Sequence, residues 1–362
     1  MKILYITTIG ATMRFFSRFI SQLIEAGHQV DIACGEIETL PDYYIKMGCS
    51  VHKLSCTRSP LRKENIITIK EIKEIVQNEK YDIVHCHTPI VAACTRLACK
   101  SIRKKGTKII YTAHGFHFYH GAPLKNWLFY YPIEWITSWY TDVLITINKE
   151  DYALAQKKLH STKLYYVPGV GIDTEIFYKH RDGERIRTEL GINKDTFVLL
   201  SVGELNENKN HKSVIKAISG MNIAYVIVGD GELKLSLTAE AKKVGSNVIF
   251  AGYRTDVLDF YAASDAFILP SYREGLNVSL MEAMASGLPC LCGRIRGNID
   301  LVDESGGILF NPQKIDEIRL GIEKIMQSNI KYGEHNKKKI QSFDLKLVNK
   351  MMFNIYESIA AE

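Results

Sequence analysis

The chain has 362 residues, 46% of them apolar and 24% charged, and carries a formal net charge of +6. That length supports two domains of ordinary size, each with its own core, and the composition is that of a soluble globular protein. No window reaches the roughly 18 apolar residues that a membrane-spanning helix needs, and none of the eight cysteines stands in a Cys-x-x-Cys pair, so neither a transmembrane bundle nor a structural zinc module is indicated.

The first ten residues lack a long apolar region and a small-residue cleavage site, so they read as a buried strand and not as a secretory leader, which predicts a cytoplasmic protein with reduced thiols. Strands are predicted at residues 2–7, 29–34, 49–55, 82–87, 108–112, 142–147 and 163–167. Helical patterns lie between several of them, at 13–26 (stopped by Gly27), 63–78 and 90–104 (stopped by Gly106). Near-continuous apolar strands alternating with helices predict a parallel sheet covered on both faces. On the fourth strand, alternation puts His85 and His87 on one face and Cys86 on the other, which argues against a shared metal.

Pro168-Gly169-Val170-Gly171 breaks the rhythm and reads as a linker. The same pattern then restarts, with strands at 197–202, 224–228, 247–250, 266–269 and 288–292, a short apolar piece at 307–310, and a last helix at 345–359 whose apolar faces need a partner. The predicted fold class is α/β, with domains at 1–168 and 169–343 and a C-terminal helix at 344–362 packing on the first domain.

Charge is unevenly placed. Up to Pro168 there are 22 Lys and Arg against 14 Asp and Glu, an excess of +8, and the remainder is about −2. Such a basic half suits an anionic partner, either a membrane surface or a phosphorylated substrate. The segment 116–140 adds all three tryptophans, Trp127, Trp135 and Trp139, among many Phe and Tyr residues. With Arg58, Arg62, Lys63 and Arg103-Lys104-Lys105 nearby in sequence, this mixture suits a membrane interface. No recognised nucleic-acid module accompanies these charges, so nucleic acid is not an expected partner.

The chemistry-bearing motifs sit where strands end. Thr7 to Thr12 follows the first strand with a single glycine, Gly10, and lacks the three-glycine dinucleotide fingerprint. Gly203 ends the first strand of the second half, and Lys209 follows just before a helix, a grip suited to a diphosphate. Gly229-Asp230-Gly231 makes a further strand-to-helix turn. Between residues 266 and 289 an apolar strand ends at Pro270, a loop carries Glu274 and Gly275, and a helix bearing Glu282 runs from 277 to 286 before Gly287. In open α/β sheets ligands bind at the carboxyl ends of the strands, which puts Glu274 at the crevice and Glu282 about two turns along the helix.

These pieces together resemble family 4 glycosyltransferases, retaining enzymes of GT-B architecture, and specifically the bacterial branch that builds capsule, exopolysaccharide or O-antigen units. The matching elements are Glu274-x7-Glu282 with Gly275 and Pro289, Gly203 with Lys209, Gly229-Asp230-Gly231, Ala251 to Arg254 with Asp256, and the histidine of Thr112-Ala113-His114-Gly115. The resemblance implies two Rossmann-like domains facing a central cleft. It implies that Lys209 holds the donor diphosphate, and that Glu274 with the main chain of Gly275 and Leu276 holds sugar hydroxyls and the β-phosphate. Glu282 would accept the ribose hydroxyls, and Gly252, Tyr253 and Arg254 would border the nucleobase. His114 would face the transferred sugar as a catalytic residue alongside Glu274 and Lys209, and Gly10 would line the phosphates.

The implied donor is a nucleotide sugar, with UDP the expected nucleotide, and the implied acceptor is a polyprenyl-diphosphate-linked saccharide at the inner leaflet. No Asp-x-Asp occurs, so no metal or other cofactor is expected. One departure stands out: many relatives carry an arginine shortly after the strand-end glycine, where this chain has Glu204, and Arg254 and Arg294 are candidate replacements. Alternatives are a sugar-nucleotide epimerase on a similar scaffold and a donor-binding subunit without catalysis.

Overall fold

In a computed structural model the described residues are 1–362 except 58, 60–61, 179–180, 329–330 and 361–362, so Arg58 of the basic group falls outside them. The chain divides into two units, residues 1–170 with 348–362, and residues 171–347.

The first unit carries seven strands, β1 (Lys2–Ile9), β2 (Gln29–Gly35), β3 (Val51–Lys53), β4 (Ile83–His87), β5 (Lys108–Ala113), β6 (Val143–Thr146) and β7 (Lys163–Tyr166). Its helices are α1 (Ser17–Glu25), α2 (Tyr43–Lys46), α3 (Glu64–Glu79), α4 (Pro89–Ala98), α5 (Leu124–Ser138) and α6 (Lys149–Lys158). The strands form one sheet in the order β3-β2-β1-β4-β5-β6-β7, and every pairing is parallel. Period-two alternation divides the core: Ile3, Tyr5 and Ile32 face one side, and Leu4, Ile6, Val84 and Cys86 face the other. Burial on both faces explains why these strands read as continuous apolar runs.

The second unit repeats this plan with β8 (Phe197–Val202), β9 (Ile223–Val228), β10 (Val248–Gly252), β11 (Ala266–Leu269), β12 (Cys290–Gly293) and β13 (Gly307–Phe310). Its parallel sheet has the order β10-β9-β8-β11-β12-β13. Helices α7 (Gly183–Glu189), α8 (His211–Ala217), α9 (Lys234–Val244), α10 (Val257–Ala262), α11 (Val278–Ala285), α12 (Asn298–Leu301), α13 (Ile315–Gln327) and α14 (Tyr332–Lys339) accompany it. The last helix, α15 (Leu345–Ala360), sends Val348, Ile355, Tyr356 and Ile359 into the first unit's core beside Phe19. Asn349 Nδ2 also donates to Gln22 Oε1 at 2.9 Å.

Two predicted helices are shorter than their apolar pattern. Residues 10–16 wind as a 3-10 helix before α1, where Gly10 is held against the backbone of Leu40 and Ala11 N–H donates to Thr39 Oγ1 at 2.9 Å. A Cβ on Gly10 would stand 2.6 Å from Leu40 N, so packing inside its own unit requires this glycine. The 90–104 pattern likewise ends at Ala98 and resumes as a separate 3-10 turn, Arg103–Lys105.

Candidate functional site

In each sheet the strand order reverses at one place, between β1 and β4 in the first and between β8 and β11 in the second, and such switch points open a crevice at the carboxyl ends. The loops carrying Lys209 and Glu274 follow β8 and β11, so the second switch point holds both. Lys209 Nζ lies 2.8 Å from Glu274 Oε1, with both side chains largely withdrawn from solvent.

Three asparagines build the lysine loop. Asn206 caps the turn Glu207–Lys209 by accepting from Lys209 N–H at 3.1 Å, and its amide donates to Glu204 Oε2 at 2.9 Å. Asn208 Nδ2 donates to Arg273 O at 2.9 Å, next to Glu274. Asn210, in the left-handed region, donates to the carbonyls of Pro270 and Pro312 at 3.2 and 2.8 Å. The two loops are therefore stitched together before any ligand is considered, with Lys209 and Glu274 preorganised. Gly229 completes the floor: its φ is +142°, and a Cβ there would fall 2.0 Å from Gly203 O. Only glycine allows the ends of β8 and β9 to approach this closely.

Helix α11 begins beside this pair. Asn277 caps it by accepting from Leu280 N–H at 2.9 Å, and Ser279 Oγ donates to Val202 O at 2.9 Å, tying the helix start to the end of β8. Gly275 and Leu276 lie between Glu274 and that cap. Glu282 accepts from the Tyr261 hydroxyl at 2.9 Å through Oε2. Burial pushes its carboxyl pKa up, and the Tyr261 hydrogen bond opposes that shift.

The two candidates to replace the missing arginine both have partners in the structure. Arg254 donates to Asp256 at 2.8 Å and to Glu189 at 2.6 Å, within a surface network that also takes in Arg185 and Asp259. The same partners hold the Asp256 carboxyl well below its usual range. Its guanidinium is thus committed to carboxylates, while Tyr253 beside it is exposed and Gly252 pairs with Gly229. Arg294 is exposed and donates to Leu309 O at 3.3 Å, on the β12–β13 side of the sheet. A further cation stands beside Glu274: Arg296, buried, whose Nε donates to Glu274 O at 3.2 Å. Its only sequence signal is a position in the loop after β12, whose end lines the same edge as Glu274.

In the first unit, His114 follows β5 directly, and its Nε2 lies 3.1 Å from His87 Nδ1 at the end of β4. His85, two residues earlier, pairs with Tyr356 of α15 at 2.6 Å and with Thr112 at 2.8 Å. Burial pushes the pKa of His85 down to about 3 and of His114 to about 4, and that of His87 also lies well below the usual range. His85, His87, Tyr5 and Tyr356 are members of this cluster that sequence reading did not assign. The shared face of His85 and His87 was visible from alternation, whereas the approach of Tyr356 from 271 residues away was not. Among the described residues no group of three or more His, Cys, Asp or Glu is arranged to hold a metal, and all eight cysteines are unpaired.

The aromatic segment divides between core and surface. Phe116 and Phe118 are buried, and Trp127 packs edge-on to Phe118. Along α5 the opposite arc is open to solvent: Leu124 is 73% exposed, and Leu128, Phe129, Trp135, Ile136 and the capping Trp139 are exposed with it. Arg103 Nη1 donates to Trp139 O at 2.9 Å, and Lys104 and Lys105 next to it are exposed. No helix among the described residues is long and apolar enough to cross a membrane.

Comparison with known proteins shows the family. Residues 2–148 match the family model described as glycosyl transferase 4-like, and residues 182–342 match glycosyl transferases group 1. A Bacillus subtilis protein named as glycosyltransferase EpsD is 34% identical over 321 residues, 85% of this chain and 83% of the relative. An Escherichia coli protein named UDP-Gal:alpha-D-GlcNAc-diphosphoundecaprenol alpha-1,3-galactosyltransferase is 31% identical over 308 residues, 79% and 77% of the two chains. Among solved structures, Alr3699/HepE of Anabaena in complex with UDP and glucose superposes with a TM-score of 0.79 over 99% of this chain and 100% of that one, at 19% identity, a likeness of GT-B fold. With both family models matched and two relatives above 30% identity over most of their length, the chain belongs to the family 4 glycosyltransferases and is a sugar-transferring enzyme.

Proposed function

We propose that the chain moves a sugar, with retention, from a UDP-sugar to a polyprenyl-diphosphate-linked saccharide at the inner membrane face, in the building of capsule, exopolysaccharide or O-antigen. The observation that carries this reading is the preorganised Lys209–Glu274 pair at the switch point of the second sheet. A glycosyl transition state gathers positive charge at the anomeric carbon and negative charge on the departing diphosphate. Lys209 answers the second of these and Glu274 the first, while the main chain of Gly275 and Leu276, just before the capped start of α11, takes the β-phosphate.

Glu282, anchored through one oxygen by Tyr261, keeps its other oxygen for ribose hydroxyls, and Gly252 and Tyr253 border the base. Arg254 acts there by fixing the loop through its ion pairs. The resemblance gives His114 a contact with the transferred sugar and Gly10 a place along the phosphates. In same-face transfer the acceptor oxygen bonds to the anomeric carbon as the carbon–phosphate-oxygen bond breaks, and the acceptor proton passes to that leaving oxygen, so UDP and the new glycoside account for every atom. Neutralisation of the diphosphate falls to Lys209, Arg296 and backbone N–H groups, with no metal required. UDP is supported by the names of the Escherichia coli relative and of the Anabaena complex, and the lipid-linked acceptor by the former.

A panel of nucleotide sugars tests the donor. At about one hundred times its dissociation constant a true donor stabilises the fold by ~2.7 kcal/mol, which a melting curve reads as a rise of several degrees. UDP-sugars are expected to give that rise and GDP- and ADP-sugars to give none. If no UDP-sugar shifts the melt, UDP is the wrong nucleotide.

The exposed arc of α5 supports membrane association. Apolar and aromatic side chains on one helix face beside exposed lysines suit the headgroup boundary of an anionic bilayer. Flotation with vesicles rich in anionic phospholipid is expected to recover the protein, and added salt to weaken recovery. Leu124→Asp with Leu128→Asp is expected to reduce partitioning about tenfold or more, since it puts two carboxylates where apolar contact was made. Undiminished flotation of that variant would remove α5 as the docking face.

A further inference from the structure

The first unit contains a small pocket lined by Phe15, Phe16, His87, Thr112, His114 and Met352. His87 forms its inner wall and is 1% exposed. Its ring stacks on Phe16 at 4.2 Å between centroids and packs against Tyr5 at 5.5 Å and His85 at 4.2 Å. An imidazole so enclosed has little freedom to turn, and its one polar link is Nδ1 to His114 Nε2. Its Nε2 is buried without a hydrogen-bond partner.

That orphan atom decides which ring donates. Burial keeps all three histidines neutral, so each has one N–H and one lone pair. Were His114 to donate from Nε2, the proton of His87 would sit on its own Nε2 as a buried N–H with nothing to bond, an arrangement rare in proteins. With His87 donating from Nδ1, the unpartnered atom is a bare lone pair, which costs less. We propose that His87 is a positioning residue that donates Nδ1–H to His114 Nε2 and thereby holds His114, which lines the pocket, in the Nδ1–H tautomer.

His85 is fixed in the same manner from the other side. The Tyr356 hydroxyl donates to Tyr5 at 3.0 Å, so it accepts from His85 Nδ1, and His85 Nε2 accepts from Thr112. The C-terminal helix thus supports the ring against which His87 packs. The consequence for chemistry is specific: the one ring-nitrogen lone pair of His114 is engaged by His87, so the ring offers Nδ1–H to a sugar oxygen and does not take a proton. This inference rests on the proposed contact of His114 with the sugar, while the tautomer itself does not.

The test separates the two. Long-range proton–nitrogen NMR of protein labelled at histidine nitrogens reads each ring's tautomer, and the His114 signals are identified by their loss in His114→Gln. The expected result is Nδ1 protonated and Nε2 bare in the wild type, reverting in His87→Leu, which fills the aromatic cage but cannot donate. His87→Asn, whose amide N–H falls near the old Nδ1–H, is expected to restore the wild-type pattern. In turnover, His87→Leu should lose about tenfold in kcat with the donor KM unchanged, the worth of one hydrogen bond, and His87→Asn should recover most of that loss. A wild-type His114 protonated at Nε2, or a His114 tautomer indifferent to His87→Leu in a variant that melts like the wild type, overturns the proposal. Full activity in His114→Gln would instead overturn the sugar contact and leave the NMR result to decide the tautomer.

Discussion

Glu274→Gln is expected to lose about three orders of magnitude in kcat, ~4 kcal/mol of transition-state stabilisation, with the fold retained. The substitution keeps the volume and one acceptor oxygen but removes the negative charge that pairs with the Lys209 ammonium at 2.8 Å and that the proposed function sets against the anomeric centre. Lys209→Ala should cost at least a hundredfold, because under the proposed function the departing diphosphate loses one of its cations. Both residues belong to one unit, so the double variant is expected to be little worse than the poorer single one. That non-additivity is the diagnostic part. If each acted alone, the losses would multiply. Steady-state kinetics with a saturating donor, together with melting curves, read all three variants, and full turnover in either single variant would remove the pair from the chemistry. The stitching by Asn206, Asn208 and Asn210 makes this a fair comparison, since the loops hold their shape through bonds that neither substitution touches.

Local signals made much of this site legible in the sequence. The apolar run ending at Pro270, the spacing of Glu274 and Glu282 and the stop at Gly287 mark a strand, loop and helix without reference to anything distant, and the observed α11 runs from Val278 to Ala285. Strand periodicity likewise separated the faces of β4. What stayed hidden depends on register between strands far apart in the chain. His87 meets His114 because β4 pairs with β5 so that His87 lies opposite Thr112, a fact no single segment encodes. Arg254 shows a different limit: its neighbour Asp256 is visible in the sequence, but only the approach of Glu189 reveals it as the centre of a structural network. Arg296 was overlooked for a related reason, since a loop arginine is ordinarily a solvated surface charge, and its burial against Glu274 follows from the adjacency of β11 and β12.

Arg96→Met is expected to destabilise the first unit by about 3–5 kcal/mol, the usual result of stripping one partner from a buried ion pair. Arg96 and Glu134 are 1% and 4% exposed, and Nη1 meets Oε2 at 2.8 Å. The guanidinium also lies over the Tyr111 ring at 4.2 Å, and the Tyr111 hydroxyl donates to the other carboxylate oxygen at 3.1 Å. Methionine replaces the aliphatic length but leaves Glu134 as a charge in an apolar wall between α4, α5 and β5. At about 2–4 °C per kcal/mol for a unit of this size, scanning calorimetry should show a fall of roughly 10 °C or more. Adding Glu134→Gln removes the stranded charge while keeping an acceptor for Tyr111, so the double variant should regain more than half of the loss; no recovery would mean that packing, and not the uncompensated carboxylate, sets the cost. The pair fixes the inner side of the helix whose outer arc carries Leu124, Leu128 and Trp135. Vesicle flotation of Arg96→Met should therefore weaken even below its melting point, because an amphipathic face grips a bilayer only while the helix behind it is held in one orientation.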